Sequence, residues 1–318
     1  MVQLTIDGKK IKAKEGQTIL QIAQDKGIKI PTLCSNDALE PYGACRLCVV
    51  EVKNGSMVSL ESSCTYPVAE GLTISTDSED VVKARKLIIE LHLARCPNVK
   101  AVQDLAEEYG IEEPRDCLVI ENEYCILCGL CVRACHEVVQ AGAISFSGSG
   151  KDKKVESPFG LEAENCIGCG SCAFVCPTGI IKVRETALAT ENMPAGAVTI
   201  GPERTIENWN RNLKLQNCKV SGNPFAPEFM LKRFIETMPL SDQFFDISPS
   251  YREYPEVDEE LCIGCGACLD ECPVGAIQLK LRDDNDEVRS NILHTHCCGC
   301  RTCLMYCVRS AIKLPQTA

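Results

Sequence analysis

The chain has 318 residues, a formal net charge of −11 and 24 cysteines, while only 5% of its residues are aromatic. The acidic balance argues against nucleic acid as a partner, because phosphates repel a negative surface. No uncharged apolar run reaches 18 residues, so we expect no membrane-spanning helix. Residues 1–16 show no basic segment followed by an apolar one, so we expect no secretory signal and a cytoplasmic location. In that compartment, cysteines this frequent indicate metal sites rather than disulfides.

Residues 1–78 show the pattern of a small β-rich domain. Apolar and polar residues alternate over residues 2–6 and 11–13, on either side of an Asp7-Gly8 turn, and this alternation predicts a hairpin. The other elements predicted for this domain are a helix over residues 18–26 and strands over residues 48–53 and 72–75.

Residues 79–115 are predicted to form a helical connector. Its first helix runs to Pro97, and a second helix begins at Lys100. Helical spacing places six apolar residues on one packed face of the first helix. These residues are Val81, Val82, Leu87, Ile88, Leu91 and Ala94.

A C-x2-C-x2-C-x3-C run occurs four times after the connector. The runs are Cys125-Cys128-Cys131-Cys135, Cys166-Cys169-Cys172-Cys176, Cys262-Cys265-Cys268-Cys272 and Cys297-Cys300-Cys303-Cys307. Each run leads into a similar tail and a short strand-like stretch. The tails are Gly142-Ala143-Ile144, Gly179-Ile180-Ile181, Gly275-Ala276-Ile277 and Ser310-Ala311-Ile312. The repeats therefore predict two paired modules, over residues 116–185 and 256–318.

This spacing suits [4Fe-4S] cubanes. Three cysteines separated by two residues let one short loop give thiolates to three irons, and the fourth thiolate comes from elsewhere. In two-cluster ferredoxins, the fourth cysteine of each run ligates the other cluster. We therefore expect four [4Fe-4S] clusters with crossed ligand sets. The sets are Cys125, Cys128, Cys131 with Cys176; Cys166, Cys169, Cys172 with Cys135; Cys262, Cys265, Cys268 with Cys307; and Cys297, Cys300, Cys303 with Cys272.

Zinc is the alternative metal, because it also takes four-cysteine sites. Zinc ribbons place two C-x2-C pairs well apart, whereas this chain repeats triplets at three-residue steps, so the pattern favours clusters. The proline that ferredoxins place after the fourth cysteine is present as Pro177 and Pro273. His136 and Val308 replace it in the other two runs, which affects the expected turn and not the ligands.

A further set of candidate ligands lies in the N-terminal domain. Cys34, Cys45, Cys48 and Cys64 are separated by ten, two and fifteen residues. Plant-type [2Fe-2S] ferredoxins use C-x4-C-x2-C and a distant fourth cysteine, so this set keeps the central C-x2-C and lengthens the first gap. We expect it to hold one [2Fe-2S] cluster.

The segments around these cysteines resemble a known family. IPTLC at residues 30–34 and GACRLCVVEV at residues 43–52 are similar to the N-terminal ferredoxin domain of the large iron-sulfur subunit of complex I. The same domain occurs in iron-only hydrogenases and in the small diaphorase subunit of NAD-linked nickel-iron hydrogenases. The resemblance continues through VQDLA at residues 102–106 and the first cubane pair, to about residue 185. It implies an α+β chain: an N-terminal β-grasp [2Fe-2S] domain, a helical connector and bacterial-type two-cluster ferredoxin modules.

The chain departs from those families at one site. They usually carry one histidine and three cysteines for an additional cubane, whereas here His92 and Cys96 remain and two expected cysteines are gone. We expect that cluster to be lost, so that His92, Cys96 and Cys117 are core or surface residues. Cys218 and Cys298 are expected to be small buried side chains.

Residues 186–255 separate the two cubane modules and are rich in proline. Apart from residues 229–235 they show no sustained periodicity, so we expect an ordered connector. A docking surface for another subunit is the functional alternative.

No nucleotide-binding or catalytic motif accompanies the cysteines, so we expect no catalytic residue and no cofactor beyond the clusters. The expected function is to relay single electrons in a cytosolic NAD(P)-linked oxidoreductase of the electron-bifurcating hydrogenase, transhydrogenase or formate dehydrogenase type. The resemblance implies two partners, a flavin and NAD(P)-binding subunit and a thioredoxin-fold [2Fe-2S] subunit, both similar to subunits of complex I. Soluble ferredoxin or a further catalytic subunit are additional candidates. The alternative function is a freely diffusing polyferredoxin.

Overall fold

The computed structural model describes residues 1–188, 199–238, 240, 242–282 and 285–315. These residues divide into two compact units. The first contains Met1–Arg184 and Ile206–Arg211, and the second contains the described parts of Glu185–Thr205 and Asn212–Ala318. Within the described residues, none of the helices has the length and apolar character needed to cross a membrane.

Helices and strands are mixed throughout both units, in agreement with the predicted α+β class. The α-helices are α1 (Ile19–Asp25), α2 (Glu79–Arg95), α3 (Lys100–Glu108), α4 (Leu130–Arg133), α5 (Ser171–Phe174), α6 (Glu228–Thr237), α7 (Ala267–Asp270) and α8 (Thr302–Tyr306). The strands are β1 (Val2–Ile6), β2 (Lys9–Ala13), β3 (Val49–Asn54), β4 (Met57–Ser62), β5 (Thr73–Ser75), β6 (Ser145–Ser147), β7 (Lys154–Glu156), β8 (Val183–Leu188), β9 (Thr199–Ile206), β10 (Arg211–Asn217), β11 (Pro224–Pro227), β12 (Glu256–Val257), β13 (Ile277–Arg282), β14 (Asn285–Ile292) and β15 (Ile312–Lys313).

A five-stranded sheet in the order β2-β1-β5-β3-β4 forms the N-terminal domain. β1 and β2 pair antiparallel with Leu4 opposite Ile11, which confirms the predicted hairpin, and β1 pairs parallel with β5. Alternate residues such as Leu4 and Ile6 point into one apolar core, because successive strand side chains face opposite sides. Strand β4 was not predicted, since Val58 and Leu60 on it are exposed and the strand shows no buried alternation.

Helix α1 closes this core as predicted. Thr18 precedes the helix, and its hydroxyl accepts from the Gln21 amide, while the Gln21 side chain accepts from the Thr18 amide. This reciprocal arrangement satisfies two amides that the first helical turn leaves without partners. Ile19, Leu20 and Ile22 are buried against the sheet, which positions the loop that begins after Gly27.

The predicted packed face of α2 is wrong in part. Val81 and Ala94 are buried as expected, but Leu87 and Leu91 are 42% and 49% exposed. The buried stripe instead follows every fourth residue and includes Arg85, whose guanidinium donates to the Val49 carbonyl at 2.7 Å. A buried charge is tolerated where it finds such a partner, and an apolarity pattern cannot anticipate it.

The remaining strands form smaller sheets. In the first unit, β6 and β7 make a hairpin after the first cysteine run. Strands β8 to β11 form a sheet in the order β11-β10-β9-β8. In the second unit, β13 pairs with β14, and β12 pairs with β15. The strand-like stretches predicted after the four tails are therefore present as β6, β8, β13 and β15.

Replacing Ile74 tests the core of the N-terminal sheet. Ile74 is 1% exposed on β5, so Ile74→Ala is expected to lower the free energy of unfolding by about 2–5 kcal/mol, through lost burial and a residual cavity. Thr73→Ala on the solvent face of the same strand should change it by no more than about 0.5 kcal/mol. Urea unfolding followed by far-ultraviolet circular dichroism measures both. Equal midpoints for the two variants would contradict the assigned facing of β5.

Candidate metal centres

The four N-terminal cysteines lie together on loops around β3 and are almost completely buried. Cys34 is 2% exposed, Cys45 2%, Cys48 0% and Cys64 4%. The Cys45 amide donates to Cys34 Sγ at 3.3 Å, and the Leu33 amide donates to Cys45 Sγ at 3.4 Å. The predicted set is therefore brought together, with backbone N–H groups directed at its sulfur atoms.

These four thiols form two pairs. Cys34 and Cys45 are hydrogen-bonded to each other, as are Cys48 and Cys64, and this contact together with burial raises the pKa of Cys34 and of Cys64. A [2Fe-2S] core requires such a division, because each iron binds two bridging sulfides and two thiolates. The donor set therefore fits a two-iron core.

An apolar cluster connects this set to the first cysteine run. Cys34, Cys45 and Cys128 belong to it, and the charge on Cys45 contributes to the raised pKa of Cys128. Cys96 is fully buried in the same cluster, and burial raises its pKa to about 12. His92 Nε2 lies 3.1 Å from the Cys45 carbonyl oxygen, which can only accept, so this nitrogen carries the proton.

The first cubane set surrounds a cavity. A cavity of about 190 Å³ is lined by Cys125, Cys128 and Cys131 of the first run together with Cys176 of the second. Burial is the main cause that raises the pKa of Cys125 and of Cys131, and raises that of Cys128 to about 11. The structure thus places the crossed fourth cysteine beside its predicted partners.

The second set of this module surrounds a smaller cavity. Its lining contains Cys166, Cys169 and Cys172 together with Cys135 of the first run. Burial raises the pKa of Cys135 and of Cys166, and raises that of Cys172 to about 11. Because the charge on Cys172 also contributes to the raised pKa of Cys131, the two sets are neighbours.

The second module repeats this arrangement for one set. A cavity is lined by Cys297, Cys300 and Cys303 together with Cys272 of the preceding run. Burial raises the pKa of Cys303 to about 12. Cysteines of two different runs therefore line this cavity as well.

The structure only partly assembles the other set of the second module. Cys262 and Cys268 are linked through Ser290, whose amide donates to Cys262 Sγ at 3.4 Å and whose hydroxyl lies 3.3 Å from Cys268 Sγ. Cys307 packs in the same apolar cluster as Cys268, whereas Cys265 is exposed. Across the described residues, no three Cys, His, Asp or Glu side chains converge on a position for a single metal ion.

The tails that repeat after each run give hydrogen bonds to the fourth cysteine. The Ala143 amide donates to Cys135 Sγ at 3.3 Å. The Ala276 and Ala311 amides donate to Cys272 and Cys307 in the same way, each at 3.2 Å. In the second run, burial would raise the pKa of Cys176, but the Thr178 hydroxyl and several backbone amides lower it overall. The repeated tail therefore supplies hydrogen-bond donors to the fourth cysteine of its run.

The residue after the second cysteine of each run is left-handed and begins a short helix. Its φ is 75° at Gly129, 79° at Gly170 and Gly266, and 64° at Arg301. This turn places the third cysteine on the helix that follows. Gly264 is constrained as well, because its φ is +65° and a Cβ there would collide with the Val288 carbonyl.

Three side chains near these cysteines were not predicted from the sequence. Trp209 Nε1 donates to Cys172 Sγ at 3.4 Å. Arg252 donates to the Cys298 carbonyl at 3.3 Å and stacks on Phe244, with its guanidinium carbon 3.8 Å from the ring centroid. Ser290, described above, is the third. Trp209 and Arg252 come from the predicted connector, where no spacing rule marks them, although Trp209 is the single tryptophan of the chain.

The cysteines outside the predicted sets have different environments. Cys117 is exposed, and Cys298 is half-buried and hydrogen-bonded to Cys300. Cys218 is buried as expected and accepts from the Ser248 amide at 3.3 Å. Burial alone would raise its pKa, but backbone amides and the Ser221 hydroxyl lower it to about 7.

Comparison with protein families identifies three segments. Residues 1–79 match the 2Fe-2S iron-sulfur cluster binding domain, residues 124–180 the 4Fe-4S dicluster domain, and residues 255–278 the 4Fe-4S binding domain. The chain therefore contains an N-terminal [2Fe-2S] domain and [4Fe-4S] ferredoxin domains.

Curated relatives agree with these matches. NADPH-Fe(3+) oxidoreductase subunit alpha of Geobacter sulfurreducens is 35% identical over 244 residues, covering 68% of this chain and 29% of the relative. NADP-reducing hydrogenase subunit HndD of Solidesulfovibrio fructosivorans is 34% identical over 215 residues, covering 58% and 36%. The mitochondrial NADH-ubiquinone oxidoreductase 78 kDa subunit of Candida albicans is 31% identical over 214 residues, covering 58% and 29%. The predicted resemblance is confirmed, and the chain spans little more than a third, or less, of each relative's length.

Alkylation distinguishes the exposed spare cysteine from the buried one. With N-ethylmaleimide, the native chain should react rapidly at Cys117 and very slowly at Cys96, because Cys96 is buried and its raised pKa keeps it a thiol. Peptide mass spectrometry after timed quenching measures both rates, with the unfolded, chelator-treated chain as control. Comparable rates in the native chain would contradict the placement of Cys96.

Proposed function

We propose that this chain binds one [2Fe-2S] and four [4Fe-4S] clusters and relays single electrons within a multi-subunit NAD(P)-linked oxidoreductase. The observation that carries this proposal is the cavity lined by Cys125, Cys128, Cys131 and Cys176. Its fourth cysteine lies 45 or more residues away along the chain, as crossed ligation between two runs requires.

The proposed ligands are the twenty cysteines of the five sets. Buried thiols with raised pKa values stay protonated at neutral pH, and positively charged iron favours their loss of protons. When bound, each cluster supplies a site that takes up and releases one electron. With twenty thiolates and five cores of charge +2, the formal charge of the chain changes from −11 to about −21.

The protein contributes spacing and shielding. In the first unit, Cys45 and Cys128 share one apolar cluster and Cys131 and Cys172 share another, which supports a sequence of three neighbouring ligand sets. Apolar side chains such as Ile126 and Leu130 fill the space around them and exclude water. In the second unit, the set at Cys297 neighbours the set at Cys268, since Cys268 contributes to the raised pKa of Cys303.

The partners follow from the relatives. Their names describe subunits of NADPH-, NADP- and NADH-linked enzymes, which supports a complex that uses a nicotinamide cofactor. We propose that the complex is cytoplasmic and that a partner subunit binds flavin and NAD(P). A thioredoxin-fold [2Fe-2S] subunit, soluble ferredoxin or a further catalytic subunit are the other proposed partners, and electron bifurcation is one proposed use. We also propose that the N-terminal five-stranded sheet has a β-grasp fold. The proposed domain boundaries are those expected from the sequence, after residues 78, 115, 185 and 255.

Ligand replacement tests the crossed sets. The full chain should hold about 18 irons, and Cys131→Ser and Cys176→Ser should each lower this number by about one to four. Both variants should alter the electron paramagnetic resonance signal of the same cluster. Cys117→Ser, which replaces an exposed cysteine outside the sets, should leave iron and sulfide unchanged. Iron and sulfide quantitation with electron paramagnetic resonance provides the readout. Effects of Cys131→Ser and Cys176→Ser on two different signals would contradict crossed ligation.

Purification under native conditions tests the assembly. The tagged chain, isolated anaerobically from its own cells, should bring a flavin-containing subunit with it in fixed stoichiometry. The same tag on an unrelated ferredoxin of that organism serves as control. Recovery of a monomer that exchanges electrons freely with many enzymes would favour the polyferredoxin alternative.

A further inference from the structure

Trp209 occupies an unusual position for a residue of the inter-module segment. It ends a short 3-10 turn, Glu207–Trp209, and is 4% exposed. Its indole Nε1 donates to Cys172 Sγ at 3.4 Å. Indole has one polar atom and can only donate, so the geometry directs its single hydrogen bond at a proposed ligand sulfur.

Hydrogen bonds and an ion pair connect this turn to the loop that begins the Cys166–Cys176 run. The Ala163 amide donates to the Trp209 carbonyl at 3.2 Å, and Arg211 Nε donates to the Cys166 carbonyl at 3.2 Å. Arg211 also pairs with Glu162 at 2.5 Å. These contacts are made by the Trp209 carbonyl and by Arg211, two residues farther along the chain, so the indole is held in place by more than its own packing.

A third anchor comes from the tail of the second run. The Lys182 amide donates to the Asn208 side chain at 2.8 Å, and the Glu207 amide donates to the Lys182 carbonyl at 3.1 Å. The turn is therefore bound to segments that precede and follow the Cys166–Cys176 run. All of these residues belong to the first compact unit.

The indole also borders both candidate cluster cavities of the first module. Trp209 lines the cavity of the Cys125 set and the cavity of the Cys166 set, and it packs with Cys131 and Cys172 in one apolar cluster. The indole N–H, however, donates to Cys172, a cysteine of the Cys166 set. Cys131, the equivalent third cysteine of the preceding run, instead has its pKa raised by burial and by neighbouring thiols.

We infer that Trp209 raises the reduction potential of the cluster held by Cys166, Cys169, Cys172 and Cys135 by donating its indole N–H to Cys172 Sγ. Reduction adds one negative charge, which spreads onto the ligand sulfurs, and a donor to sulfur stabilises that charge more in the reduced state than in the oxidised one. Trp209 thus acts through Cys172 as a positioning residue. This inference rests on the ligand set proposed above.

The test removes the indole N–H donor while it keeps the shape of the side chain at position 209. The holo-chain is prepared anaerobically in its natural form, as Trp209→Phe, and with 3-benzothienylalanine at position 209, in which sulfur replaces the indole N–H. Potentiometric titration followed by electron paramagnetic resonance then gives the midpoint of each cluster. Both replacements should lower the midpoint of one [4Fe-4S] cluster, leave the other midpoints in place and leave the iron content unchanged.

Two further variants complete the experiment. Leu213→Val, a buried apolar change on β10 at a residue that lines neither cavity, keeps the indole donor and should leave every midpoint unchanged. Cys172→Ser identifies the affected cluster, because its signal must be the one that the Trp209 variants shift. If 3-benzothienylalanine leaves the midpoint of this cluster unchanged, the inference is overturned. This holds even if Trp209→Phe shifts the midpoint, because the shift then comes from altered packing and not from the lost N–H donor. If Cys172→Ser alters neither iron content nor any signal, the ligand set itself is wrong.

Discussion

Burial of the cysteine side chains is the constraint on which the rest of the structure depends. A thiolate taken out of water is costly unless positive charge or hydrogen-bond donors compensate it. At Cys128, Cys131, Cys172 and Cys303, burial and neighbouring thiols together raise the pKa. These surroundings therefore favour the neutral thiol as long as no positively charged cluster core is bound. We therefore expect folding and cluster binding to be coupled, because small modules with little aromatic core gain stability from what they bind.

Local geometry meets that constraint in the same way at each run. A left-handed residue after the second cysteine begins the short helix that carries the third, and backbone amides of the tail hydrogen-bond the fourth cysteine. Side chains from outside the runs then differentiate the sites. Trp209 contacts Cys172 in the first unit, and Arg252 contacts the Cys298 carbonyl in the second. The segment between the modules therefore contributes to the surroundings of cysteines in each unit.

Sequence spacing was sufficient to predict which cysteines meet in three cavities, because short C-x2-C steps and a repeated tail leave few possible geometries. Strand alternation likewise predicted the β1–β2 hairpin. The buried face of α2 was predicted wrongly at Leu87 and Leu91, because Arg85 is buried through its bond to Val49. Strands β9 and β11 were not predicted, since Pro202, Pro224 and Pro227 interrupt their pattern. Strand β10 was missed because its alternation involves only Leu213 and Leu215, which is too short to stand out in the sequence. The contact of Trp209 with Cys172 spans 37 residues and depends on tertiary structure, which no local pattern encodes.

Native mass spectrometry of the anaerobically purified chain tests the central claim most directly, because it weighs the polypeptide together with everything its cysteines hold. We expect a mass increase equal to one [2Fe-2S] and four [4Fe-4S] clusters, lost in steps as ligand cysteines are replaced. A fully functional chain that carries only zinc, or no metal at all, would contradict the cluster assignment.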